Sequence, residues 1–205
     1  ALGETLLAFI RYGLMPVDDA RDLIRGALER AIALDPQMAT VMGSLASVSL
    51  LLEHDPEAAF HWWVRALEVQ PRLVEIRAQY ATYGLVFLRH DDARGLAEIT
   101  RAVTDDPGNA YCAFLHSLCL LALGRNAVAE VERAYALDPS FLTLYGRAFM
   151  RSLTGDADGA LAAANTAFGV IGRHPWVLAG LPSAYLQRGQ RALGEAIYTE
   201  LLARA

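Results

Sequence analysis

Proline recurs along this chain at a nearly constant interval, and this regularity limits the possible folds more than any other feature. Intervals of 35, 36, 32 and 36 residues separate Pro36, Pro71, Pro107, Pro139 and Pro175. Proline has no amide hydrogen and disfavours helical backbone in the residue before it, so a helix that runs up to it ends there. The spacing therefore predicts a series of helical units of similar length.

A second pattern repeats within these units: small or apolar residues at intervals of four and three. Residues at i, i+4 and i+7 form one stripe along a helix. Small members allow two helices to approach closely, and the larger member fills the space between them. The six stripes are Ile24, Leu28 and Ala31; Ala59, Trp63 and Ala66; Gly95, Ile99 and Ala102; Ala127, Val131 and Ala134; Ala160, Ala164 and Ala167; Gly194, Tyr198 and Leu201.

This stripe resembles the second helix of a tetratricopeptide repeat, whose signature is A-x3-F-x2-A followed by proline. The resemblance covers nearly the whole chain. It implies an all-α fold, a right-handed superhelical solenoid of about six antiparallel helix pairs. A single repeat domain is expected over residues 1–205, and, because residue 1 falls within a helical pattern, the sequence is expected to be a fragment of a longer protein. The expected repeats cover residues 2–36, 37–71, 72–107, 108–139, 140–174 and 175–205.

Six helix pairs follow from these patterns. Asp55, Asp91, Asn126 and Asp156 lie where the second helices need N-caps. Pro182 falls inside the first helix of the last pair, which is therefore expected to be distorted. The predicted helices are 2–14 and 17–34, 38–53 and 56–69, 73–89 and 91–104, 109–123 and 126–137, 141–153 and 156–168, and 175–188 and 190–204.

Charge and cysteine content restrict the classes of partner. All 18 basic residues are arginine, they are scattered among 23 acids, and the net charge is -5. Binding to nucleic acid needs clustered cations, so a nucleic-acid partner is not expected. Two cysteines are too few for a disulfide framework, which favours a reduced, cytoplasmic protein. The excess of Ala, Arg, Gly and Leu without lysine suggests a bacterial source, and no membrane span is expected.

The resemblance also implies where a partner would bind, because tetratricopeptide arrays use a concave groove lined by the first helix of each repeat. These positions are apolar or carry small hydroxyl groups, and they contain no basic cluster. Such a surface suits an amphipathic helix or another apolar segment, unless the array itself or self-association buries it. The groove residues expected to bind a partner are Ser47, Leu51, Ala78, Thr82, Tyr111, Phe114, Leu118, Leu121, Gly146, Met150, Trp176 and Ser183.

One group of side chains has the spacing of a metal site. Cys112, His116 and Cys119 lie at i, i+4 and i+7, on one face of a predicted helix, and His90 is the nearest fourth ligand in sequence. These are also packing positions, where buried cysteine is common, so no metal or other cofactor is expected. The sequence contains no phosphate-binding glycine loop and no nucleophile motif, and an enzyme is not expected.

The sequence therefore favours a non-catalytic protein-interaction scaffold or regulatory module, which binds a protein or peptide partner and is similar to the arrays of bacterial signalling and transcription regulators. Homodimerisation through the apolar last repeat is compatible with this interpretation. Two alternatives remain open: a receptor for a small apolar ligand, and a metal-dependent enzyme that uses Cys112, His116 and Cys119.

Overall fold

A computed structural model describes residues 17–204, and every regular element in this range is helical. The all-α fold is thus confirmed, while the predicted helix 2–14 lies outside the described residues. The chain divides between Asp105 and Asp106 into two compact units. The assignment of residues 1–205 to a single domain stays a prediction, and each unit is described separately below.

The first unit consists of helical hairpins whose seams follow the small-large-small stripe. Ala59 and Ala66 are fully buried on one side of a helix, and the Trp63 indole fills the space between them with 1% of its surface exposed. The indole Nε1–H of Trp63 donates to Oε1 of Gln79 over 3.0 Å, so its polar atom is satisfied. The elements of this unit are α1 (Val17–Leu34), α2 (Ala39–Leu51), α3 (Pro56–Val69), α4 (Val74–Gln79), the π-helix π1 (Tyr80–Leu88) and α5 (Asp92–Asp105).

The π-helix is the main departure from the predicted helix 73–89. It continues directly from α4, so one long first helix changes from α to π geometry at Tyr80. Because a π turn holds more residues than an α turn, it accommodates an additional residue without lengthening the hairpin.

The second unit repeats the hairpin pattern around a core that includes Leu144, Ala164, Leu178 and Leu181, each exposed by at most 2%. The predicted helix 175–188 is broken at Gly180, and Pro182 lies in the first turn of the helix that follows. The predicted distortion is thus confirmed. The elements are α6 (Ala110–Ala122), α7 (Val128–Leu137), α8 (Phe141–Leu153), α9 (Ala157–Ile171), α10 (Pro175–Ala179), α11 (Leu181–Gln187) and α12 (Arg191–Leu202).

Each described turn from a first to a second helix contains one residue with left-handed backbone. Where this residue is glycine, the amide after it closes an i→i−5 hydrogen bond, as from Arg125 N to Leu120 O over 2.8 Å. Where it is histidine, the bond spans one more residue, as from Asp55 N to Ser49 O over 2.8 Å. The left-handed residues are His54, His90, Gly124, Gly155 and Gly189.

Three of the four predicted N-caps are confirmed. Asp55 Oδ1 accepts from the amide of Ala58 at 2.9 Å, and Asp156 Oδ1 accepts from Gly159 at 2.9 Å. Asp91 Oδ1 accepts in the same way from the amide of Arg94 at 3.3 Å. The prediction for Asn126 is wrong, because Ala127 is the N-cap of α7 and Asn126 Oδ1 accepts from the amide of Val128 at 3.1 Å, one residue before the cap. These bonds satisfy amides that would otherwise be left unpaired at helix starts.

Candidate functional site

An aromatic pocket lies between two first helices of the second unit. It has a volume of about 210 Å³ and is lined by Tyr145 and Phe149 from α8 and by Trp176 and Ala179 from α10. Tyr145 and Phe149 are four residues apart and so lie on one face of α8. Trp176 and Ala179 are three apart and share a face of α10 in the same way. We call these four residues the aromatic pocket.

The rings of the pocket are held by contacts with one another and with Phe141 beneath them. Tyr145 and Trp176 meet edge to face with ring centroids 5.3 Å apart, and Tyr145 and Phe149 are 6.2 Å apart. Phe141 is 5.4 Å from Trp176 and 6.1 Å from Tyr145, and it is itself buried. Such pairs contribute about 0.5–1.5 kcal/mol each beyond the burial of their area. The lining is therefore a preformed surface.

His174 is the N-cap of α10 and so helps to position Trp176. Its Nδ1 accepts a hydrogen bond from the backbone amide of Trp176 at 3.2 Å, so the imidazole caps the helix in its neutral form. The imidazole also meets Phe141 edge to face at 4.7 Å. Burial lowers the pKa of His174, and the positive charge of Arg204 lowers it further. Both effects favour the neutral capping state.

The pocket is electrically neutral. None of its four lining residues is charged. Burial, assisted by the nearby Tyr111, raises the pKa of Tyr145 to about 12, so its hydroxyl stays protonated at neutral pH. Arg147 and Arg151, which also lie on α8, are occupied by Glu132, with Nε–Oε1 and Nη2–Oε1 distances of 2.9 Å. A ligand in this pocket therefore meets aromatic faces and neutral polar groups.

Two polar groups of the pocket are unused. Within residues 17–204, neither the indole N–H of Trp176 nor the hydroxyl of Tyr145 forms a hydrogen bond with another group. Trp176 also keeps 40% of its surface exposed. An exposed indole beside a neutral aromatic pocket can pack against an apolar group and donate a hydrogen bond to an acceptor on the same ligand.

The structure separates the predicted groove residues by accessibility. Six are buried between helices: Ser47, Ala78, Thr82, Phe114, Gly146 and Met150. Four are half-buried: Tyr111, Leu118, Leu121 and Ser183. Leu51 and Trp176 are exposed. Of the twelve, Trp176 lines the aromatic pocket itself, and Phe114 supports it through an edge-to-face contact with Tyr145 at 5.8 Å.

Tyr145 and Phe149 were not among the predicted residues. The first helix of a tetratricopeptide repeat resembles W-x2-L-G-x2-Y, in which the position of Tyr145 is a packing position and the position of Phe149 usually carries a small residue. A large aromatic residue at that position is the signal that could have indicated the pocket. It fills space beside the shortened α10, where the ideal Cβ of Gly180 would lie only 3.2 Å from Phe149 Cα.

A second cavity, of about 270 Å³, lies in the first unit among α3, α4, π1 and α5. Its lining carries charges of both signs: Arg77 and Arg94 face Glu68 and Glu98. Arg77 is 6% exposed, and its guanidinium is paired with Glu98 and with the carbonyl of Pro71. Since its cations and acids balance, the lining offers no net charge to a ligand, and we regard the Arg77–Glu98 pair as structural.

In the structure, the two cysteines of this pattern are packing residues and the histidine forms a hydrogen bond with Glu130. Cys112 and Cys119 are fully buried in α6 and form no disulfide. His116 faces α7, where its Nδ1 lies 3.0 Å from Oε1 of Glu130. Across residues 17–204, no three His, Cys, Asp or Glu side chains are grouped closely enough to hold a metal ion.

The helical hairpins and their small-large-small seams define a helical-repeat fold of the tetratricopeptide type. No protein-family model and no curated protein matches the sequence. Solved structures do share its fold. PilW, described as a widely conserved type IV pilus biogenesis factor, aligns with a TM-score of 0.70 and 18% identity over 98% of this chain and 90% of its own.

Two further structures are similar. A tetratricopeptide repeat protein from Parabacteroides merdae gives a TM-score of 0.62 at 14% identity, over 98% of this chain and 77% of its own. YrrB, described as a TPR protein with an unusual peptide-binding site, gives 0.52 at 14% identity, over 86% and 91% of the two chains. The tetratricopeptide repeat fold is therefore confirmed. In the described part of the chain, no helix is both long and apolar enough to cross a membrane.

Proposed function

We propose that this chain is a protein-interaction module that binds a polypeptide segment through the aromatic pocket. The observation that carries the proposal is the exposed Trp176 indole, which lines the pocket and has an unused N–H. Exposed tryptophan and tyrosine side chains in preformed pockets dominate the binding energy of many protein interfaces. The fold supports the proposal, because stacked helical hairpins present an extended surface to a ligand.

A receptor for a small apolar molecule is the alternative. The pocket, at about 210 Å³, is smaller than the roughly 300–1,000 Å³ of most small-molecule sites. A pocket of this size instead fits one side chain of a longer ligand, which would continue over the neighbouring surface of α6 and α8. A role in bacterial signalling or transcription regulation stays a prediction.

Selection of peptides from a random display library against the full chain tests the proposal. We expect wild-type protein to enrich peptides whose binding falls at least tenfold in Trp176→Ala, because the substitution removes both the ring and the donor. The matched control is Val170→Ala, which truncates a more exposed residue on α9, away from the pocket lining. Equal binding by wild type and folded Trp176→Ala would contradict the proposal.

Self-association through the last helix is a second proposal. Tyr198 and Leu202, which lie four residues apart on one face of α12, are each more than half exposed. Burying this face between two copies would remove apolar surface from water. Sedimentation analysis should show a dimer that Tyr198→Arg with Leu202→Arg converts to monomer. A monomer in the wild type at high concentration would contradict it.

A further inference from the structure

We propose that the aromatic pocket selects a proline-containing segment in the polyproline II conformation. This inference rests on the proposed function and adds the class of ligand. It differs from the amphipathic helix that the sequence alone favours. Three features of the pocket support it: the unused donors, the arrangement of the rings, and the absence of charge.

The unused donors distinguish an extended ligand from a helical one. The indole N–H of Trp176 can only donate, and the hydroxyl of Tyr145 can donate as well. A bound α-helix has its backbone carbonyls occupied by its own i→i−4 bonds, so it offers these donors few acceptors. A polyproline II segment has no internal hydrogen bonds, and its carbonyls point outward. A ligand of this conformation therefore offers free carbonyl acceptors to the two donors of the pocket.

The rings favour proline as the side chain that enters. Tyr145 and Trp176 stand at 68° to each other, while Tyr145 and Phe149 are inclined at 49°. These three rings and the small side chain of Ala179 together line the pocket. A compact, rigid pyrrolidine ring that enters it can contact more than one aromatic ring at once. It also loses little conformational entropy on binding, because its φ angle is already fixed.

The charge distribution argues against a cationic ligand. An exposed aromatic face by itself attracts an ammonium or guanidinium group only weakly, so a cation would gain most from a carboxylate at the same site. None of the four lining residues is acidic, and Glu132, which faces α8, is already bound by Arg147 and Arg151. Proline combines an uncharged ring with a strong carbonyl acceptor, so it complements a neutral pocket with free donors.

Titration of the full chain with a short oligoproline peptide tests the inference, with an alanine-rich helical peptide of the same length and charge as the competing ligand. We expect the oligoproline to bind and to shift the indole N–H resonance of Trp176. The corresponding resonance of Trp63 should not move, because that group already donates to Gln79. The helical peptide should bind at least tenfold more weakly.

Substitutions at Trp176 separate the contribution of its aromatic ring to binding from that of its N–H donor. Trp176→Phe keeps an aromatic face but removes the N–H, and we expect about fivefold to tenfold weaker oligoproline binding, the value of one neutral hydrogen bond. Tyr145→Phe should have a similar effect, and Trp176→Ala should abolish measurable binding. Val170→Ala should bind as wild type does.

The outcomes distinguish this inference from the proposed function. If library peptides without proline bind through Trp176 while oligoproline does not, the pocket is a peptide site and the polyproline inference is wrong. Preference for the helical peptide, or unchanged oligoproline affinity in Trp176→Phe, would also overturn the inference. If no peptide of any class depends on Trp176, both proposals fail.

Discussion

The Phe114 ring packs directly against Gly146, so that a Cβ built on the glycine would lie 2.7 Å from Phe114 Cε2. Val131 also lies close, at 3.3 Å, and Phe114 is 2% exposed, so neither neighbour can move freely. We predict that Gly146→Ala lowers the free energy of unfolding by about 1–3 kcal/mol through overpacking. Urea denaturation measures the change.

Gly169 provides the control for this substitution. It lies inside α9, and nothing lies within 4 Å of the Cβ that alanine would add. Gly169→Ala should therefore raise the free energy of unfolding by about 0.5–1 kcal/mol, through helix propensity alone. Equal effects at the two glycines would show that the contact between Phe114 and Gly146 is not tight.

The two histidines with left-handed backbone store strain that glycine would remove. His54 and His90 have φ angles of 55° and 53°, at turns equivalent to those that use glycine elsewhere. We predict that His54→Gly and His90→Gly each raise the free energy of unfolding by about 0.5–1 kcal/mol. In contrast, His61→Gly, inside α3, should lower it by about 1 kcal/mol. Destabilisation at all three positions would contradict the assignment of strain.

The Glu130 carboxylate should stabilise the second unit in a pH-dependent manner. Burial raises its pKa, but hydrogen bonds from His116 and Arg133 outweigh this effect and lower the pKa from 4.5 to about 2. The stabilisation is therefore fully present above about pH 4.5 and is lost as the pH falls through about 2. We predict that Glu130→Gln costs about 1–2 kcal/mol at neutral pH, after allowance for solvent screening.

Urea denaturation of the wild type and Glu130→Gln across the acid range measures this prediction. The difference between the two proteins should shrink as the pH falls and disappear below the folded-state pKa of the carboxyl group. A constant difference at every pH would mean that the substitution acts through packing instead of through the charge.

Protonation of His174 should lower both the stability of the second unit and the affinity of the aromatic pocket for a peptide. Its pKa lies below the usual 6.5 because burial and Arg204 disfavour the cation. The imidazole of His174 therefore binds a proton more readily in the unfolded chain than in the folded one. The stability that is present above pH 6.5 is lost as the pH falls through the lower pKa of His174 in the folded state. The imidazolium would also lose the Nδ1 acceptor for the Trp176 amide. We predict weaker peptide binding in mild acid.

His174→Asn provides the test of this mechanism. Asparagine can accept the same amide hydrogen bond as an N-cap but does not titrate. Peptide affinity and unfolding free energy should match the wild type at about pH 8 and should lack its loss at about pH 5, on either side of the ordinary histidine pKa. An identical pH profile in both proteins would exclude His174 as its source.

The sequence predicted the helical hairpins well because their determinants are local. Pro139 marks a helix end, and the stripe of Ala160, Ala164 and Ala167 marks the face of a helix that packs. The predicted helix 141–153 agrees with the structure at both ends. Pro182 likewise indicated the break in the first helix of the last pair, between α10 and α11. The π-helix at Tyr80 could not be predicted, because its additional residue could equally have entered a turn.

The site was only partly predictable. Trp176 follows from its position in the repeat, but the pocket also depends on the tertiary approach of α8 and α10. Phe149 fills that space instead of the small residue that the family pattern places there. Periodicity also could not separate Met150, which is fully buried, from Trp176, since both occupy the groove-facing register.

Backbone amide mapping of a library-selected peptide on the full chain tests the central claim most directly. We predict that the largest chemical-shift changes fall on Tyr145, Phe149, Trp176 and Ala179, with saturation at one site. Changes confined to α12 or to the first unit, with these four amides unmoved, would contradict it.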